Sequence, residues 1–70
     1  MPIKKIGKQI QERRKVLQIT QADLAEISGV SLRTVKAIEA GDANPTIDIL
    51  NRVLKPLGLL VSTANRSKNE

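Results

Sequence analysis

The apolar positions of this chain fall into three blocks with helical spacing and one short run without it. From Ile3 to Leu17 the stripe is Ile3, Ile6, Ile10 and Leu17, which predicts an amphipathic helix preceded by Pro2. The positions continuing that stripe hold Arg13 and Arg14, and a charge on an inward face needs a partner. The other face (Lys4, Lys5, Lys8, Gln11, Glu12 and Lys15) is polar and mostly basic. It reads equally as a solvated surface or as a phosphate-contacting one. Gln18 and Ile19 make a short connection to the second block.

That block, Gln21 to Ala40, reads as two short helices joined by a tight turn. Thr20 and Ser31 are placed as N-caps, since their hydroxyls can accept from free N–H groups of a first turn. Gly29 lies where the chain must reverse, in a left-handed conformation that a Cβ would oppose. Leu24, Ala25, Val30, Val35 and Ile38 face one interior, with Ala25 small where the helices cross. These offsets match a helix-turn-helix, a unit known for placing its second helix in the DNA major groove. An ordinary helical hairpin is the competing reading.

Gly41 suits the end of that helix, and Gly41 to Pro45 reads as a loop, with Pro45 holding Asn44 extended. Thr46 caps a fourth helix whose apolar face is Ile47, Leu50, Val53, Leu54 and Leu57, with Asp48 complementing the dipole. Pro56 ends that helix near Lys55, and Gly58 closes it. Leu59 to Ala64, LLVSTA, is predicted to be a strand. Lacking a sheet, it is expected to pair with its own copy across a two-fold axis. Leu59, Val61 and Thr63 would share one face, and Leu60, Ser62 and Ala64 the other. The organisation expected is one domain over residues 1–64 and a disordered polar tail over residues 65–70.

Seventy residues bury only about 60% of the unfolded surface, and without cysteine there is no disulfide or thiolate zinc site to add stability. A homodimer is therefore expected. Histidine and aromatic residues are also absent, which removes the usual general base and the rings that stack single-stranded bases. Acidic residues are scattered and glycines isolated, so no enzyme activity, metal or cofactor is expected. A net charge of +5 and a pI near 10.1 favour a polyanion partner once joined to the helix-turn-helix. No apolar run approaches the ~18 residues of a membrane span and no signal peptide opens the chain, so no membrane partner and a cytoplasmic location are expected.

The run Thr20-Gln21-Ala22-Asp23-Leu24-Ala25, then Ser28-Gly29-Val30-Ser31, Ile38-Glu39 with Gly41, and Asn44-Pro45-Thr46 resemble the Xre/Cro-type helix-turn-helix family. The resemblance covers roughly Ile6 to Gly58. It implies a mainly α, four-helix, lambda-repressor-like domain that binds operator DNA as a dimer in a prokaryotic, nucleoid-associated setting. The segment after the fourth helix resembles HipB-like antitoxins. Those pair a C-terminal strand between protomers, neutralise a HipA-like kinase toxin and repress their own operon. Leu59, Leu60, Val61, Ser62 and Thr63 would then be dimerisation residues. A stand-alone phage-type or restriction-modification controller regulator without a toxin remains the alternative.

By position, the resemblance assigns Gln21 to a phosphate contact and Ser31, Leu32, Arg33 and Ala37 to the groove-facing side of the recognition helix. Thr34, Lys36 and the loop Asp42 to Asn44 fall at backbone-contacting positions. Arg14 and Glu39 match a buried ion pair between the first and third helices. Leu32 and Ala37 depart from the polar base-reading residues frequent in phage repressors. Readout would then lean on Arg33, on thymine-methyl contacts and on DNA shape.

Overall fold

A computed structural model describes residues 3–59 as four α-helices and a final 3₁₀ turn. They are α1 (Ile3–Val16), α2 (Gln21–Ser28), α3 (Leu32–Ala40) and α4 (Ile47–Leu54), with the 3₁₀ turn at Lys55–Leu57. Short-range chemistry sets these boundaries. Thr20, Ser31 and Thr46 are extended, and their hydroxyls accept from the N–H groups of Asp23, Thr34 and Ile49 at 3.0, 3.1 and 3.1 Å. Such a cap contributes about 1 kcal/mol. At α2 the cap is reciprocal, because the Thr20 N–H donates to Asp23 Oδ2 at 2.9 Å. That backbone bond, followed by hydrogen bonding of the carboxylate with the Thr20 side chain, holds the Asp23 carboxyl below its ordinary value. Its contribution is present above the unfolded pKa and fades as pH falls through the lower folded value.

All four helical stretches end in one way. Gly29, Gly41 and Gly58 take φ of 73°, 76° and 73°, and Gln18 takes φ of 59°. Beyond each, an N–H reaches back five residues: Ile19 to Arg14, Val30 to Ala25, Asp42 to Ala37 and Leu59 to Leu54, at 2.9–3.2 Å. These bonds satisfy carbonyls that a helix end leaves unpaired. Gln18 alone carries a Cβ in this conformation.

The core is Ile10 from α1, Leu24 and Ala25 from α2, Val30, Val35 and Ile38 around α3, and Leu50, Val53, Leu54 and Leu57. The main partner of α1 is α3, and Gly7 lies directly against the C-terminal end of α3. A Cβ at Gly7 would run into the carbonyl oxygens of Ile38 and Glu39, the latter at 2.8 Å. Arg13 donates from Nε to the Leu57 carbonyl at 2.9 Å, tying α1 to the final turn.

Two expectations change. The first helix stops at Val16, and Leu17 is 40% exposed. The left-handed Gln18 swings the chain so that Ile19, not Leu17, packs on the core. Ile47 is 57% exposed, and Ile49 packs on the core instead. Side chains lean toward a helix N-terminus, so the first-turn Ile47 points off the end of α4. Among the described residues there is no strand; of the expected one only Leu59 is described, and its N–H closes the preceding turn. The rest of the expected strand, Leu60 to Ala64, and the expected tail lie outside the described residues.

Candidate nucleic-acid interface

The helix-turn-helix is built by reversing the chain at Gly29 and packing α3 on α2 through Leu24, Ala25, Val35 and Ile38. With those inner positions occupied, the one- and four-residue offsets of a helix leave Leu32, Arg33 and Lys36 together on the outer side, all exposed. Ala37, next on that arc, is half-buried, and so is Thr34. The Ser31 hydroxyl accepts from the Thr34 N–H and donates to Thr34 Oγ1 at 2.9 Å. Ser31 thus serves the helix start before anything outside it. Both ion pairs among the described residues lie elsewhere, at Arg14–Glu39 and at the exposed Arg52–Asp48 pair. The charges of Arg33 and Lys36 therefore have no carboxylate partner among the described residues.

Behind this surface lies a polar junction of three helices. Arg14 of α1 donates from Nε to Glu39 Oε2 at 2.7 Å and from Nη2 to Glu39 Oε1 at 3.0 Å. Its Nη1 donates to the Ile19 carbonyl at 3.0 Å. The Arg14 side chain is 11% exposed and that of Glu39 3%. The hydrogen bond with Glu39, more than the charge attraction, lifts the Arg14 pKa above its ordinary value, against an opposing pull from burial. The guanidinium stays charged at every working pH. Gln21, at the first position of α2, donates from Nε2 to Glu39 Oε1 at 3.0 Å. The fork-to-fork pair is the strong form of such contacts.

The structure thus groups Leu32, Arg33 and Lys36 on one exposed side, with Gln21 half-buried at the entry to α2. Asn44 is exposed in residues 41–46, which connect α3 to α4. Leu59 is half-buried, and Leu60, Val61, Ser62 and Thr63 lie outside the described residues. One position and one contact escaped the sequence reading. Gly7 sets how closely α3 can approach α1, and an isolated glycine within a helical stripe was the available signal. The bond from Gln21 to Glu39 left no signal, because it joins side chains 18 positions apart.

Comparison with known proteins agrees with this geometry. A helix-turn-helix family model matches residues 10–62. A protein of Methanothermobacter thermautotrophicus, described as an uncharacterized HTH-type transcriptional regulator, is 41% identical over 49 residues, 70% of this chain and 71% of that one. A Haemophilus influenzae protein of the same description is 36% identical over 55 residues, 79% of this chain and 56% of that longer one. No solved structure matches the chain significantly.

Proposed function

The chain belongs to the helix-turn-helix family, and from that membership we propose that it is a sequence-specific DNA-binding transcriptional repressor that acts as a homodimer. The observation that carries the reading is the outer side of α3, where exposed Arg33 and Lys36 have no carboxylate partner among the described residues. Arg33 projects from the first turn of the recognition helix, where side chains reach base edges, and an arginine can bind guanine through two hydrogen bonds. Leu32 and Ala37 supply apolar contact for thymine methyls. Ser31 lies at the groove-facing start of the recognition helix, and Gln21, Thr34, Lys36 and Asn44 contact the phosphate backbone and set the register. The occupied operator then excludes polymerase from an overlapping promoter.

Binding titrations on an operator selected from a random duplex pool, and on its single-base variants, test this. Arg33→Ala is expected to lower discrimination by roughly 1–3 kcal/mol at the base pair it reads. Its folding stability should change by no more than about 0.5 kcal/mol. Equal losses on every variant would make Arg33 a phosphate contact only.

The finer role we assign is that of the antitoxin in a HipBA-like operon, which represses its own promoter and binds a kinase toxin. Its support is the LLVSTA segment and its resemblance to the dimerising strand of such antitoxins. Truncation after Gly58 should yield a monomer by sedimentation, with operator binding greatly weakened. Co-purification from the native operon should bring down a kinase-like protein. A dimer unaffected by the truncation would remove the strand from the interface.

A further inference from the structure

Resting on the DNA-binding reading above, we infer that Glu39 is a positioning residue for the phosphate contact: its carboxylate decides which way round the Gln21 amide sits. An amide can turn either its oxygen or its NH₂ toward a neighbour, and the two orientations occupy nearly the same space. A carboxylate only accepts, so with Gln21 Oε1 turned toward Glu39 two acceptors would face each other. The observed contact is the complementary one, Gln21 Nε2 to Glu39 Oε1 at 3.0 Å. Phosphate oxygens are also acceptors. The Nε2 proton not used by Glu39 is therefore the one available to DNA, and the orientation that supplies it is chosen before DNA arrives.

Arg14 completes the device. Its two bonds to Glu39 and its third to the Ile19 carbonyl hold the carboxylate in place from the α1 side. With a side chain 3% exposed, Glu39 cannot meet the duplex itself and acts only through Gln21. Presenting a donor in advance removes part of the ordering cost of binding. One buried pair would thus join α1 and α3 and also orient a side chain at the start of α2.

A double-mutant cycle on the full chain tests this, using Gln21→Ala and Glu39→Gln with a mixed-sequence duplex at fixed low salt. Glu39→Gln keeps the shape but puts an amide opposite Gln21, which tolerates either orientation. Gln21→Ala should weaken binding about tenfold, the size of one hydrogen bond to a charged group. Glu39→Gln should weaken it roughly threefold alone and not further in the Gln21→Ala background, a coupling that only linked residues show. Equal losses in both backgrounds would overturn the inference and leave Glu39 a purely structural residue. Should Glu39→Gln fail to fold, the Gln21 side-chain amide resonances of the unaltered protein decide. One Nε2 proton should keep its carboxylate-bonded shift when duplex is added while the other moves; loss of that first signature would show that Gln21 leaves Glu39 to reach DNA. If the unaltered protein binds no duplex, the DNA-binding reading itself falls. If it binds and the cycle is additive, only the role of Glu39 does.

Discussion

Inward from α3, Val35 and Ile38 are fully buried and Glu39 takes three hydrogen bonds from Arg14 and Gln21. Outward, within one turn, Leu32, Arg33 and Lys36 meet solvent. A helix of nine residues is too short to be stable alone in water, so the inner side is what allows the outer side to exist. The contrast teaches where substitutions should register. Inner changes should appear as lost stability, and as lost binding only where the helix moves or, at Glu39, where the Gln21 amide loses its orientation. Outer changes should leave folding alone and alter recognition.

The severest way to break that division is Glu39→Ala. It leaves the Arg14 guanidinium in a largely buried place without its carboxylate, and unfolding should become easier by about 3–5 kcal/mol in denaturant titrations. A loss within about 0.5 kcal/mol would place the pair among ordinary surface contacts, and the inner side of α3 would then rest on Val35 and Ile38 alone. Gly7→Ala attacks the same side from α1. The added methyl meets carbonyl oxygens of α3, which cannot rotate away as a side chain would. Overpacking of this kind costs about 1–3 kcal/mol, and DNA affinity should fall with it because α3 is pushed outward. Unchanged stability and affinity in Gly7→Ala would show that the α1–α3 seam can yield without cost. The smallest change sharpens the comparison from outside it. Gln18→Gly relieves a left-handed residue at the end of α1, far in function from the outer side of α3. Part of that relief is offset by the greater freedom of glycine in the unfolded chain, leaving a gain of about 0.5 kcal/mol in thermal unfolding. DNA affinity should not change.

Legibility in the sequence follows the range of each interaction. Thr20, Ser31 and Thr46 stand at helix starts and Gly29, Gly41 and Gly58 at ends, because capping depends on residues within five positions of each other. The stripes identified Ile10, Leu24, Val35, Ile38 and Leu50 as core, yet placed Leu17 and Ile47 there as well. Periodicity measures angle around a helix and is blind to where the helix stops and what lies beyond its last turn. Arg13 and Arg14 were equally suspect as charges on an inward stripe. Their different partners, a backbone carbonyl and a buried carboxylate, depend on which element faces each.

What the sequence by itself determined was the local plan: four helical segments, their caps and glycine turns, the apolar positions of a helix-turn-helix, and a basic balance suited to DNA. Those features are set by backbone geometry and by side chains a few positions apart, so each is complete within its own segment. Only the tertiary structure decided that Gly7 admits α3 against α1, that Ile19 and Ile49 replace Leu17 and Ile47 at the core, and that Gln21 donates to Glu39. These depend on how the four helices meet in space, where a shift of about an ångström makes or breaks a hydrogen bond.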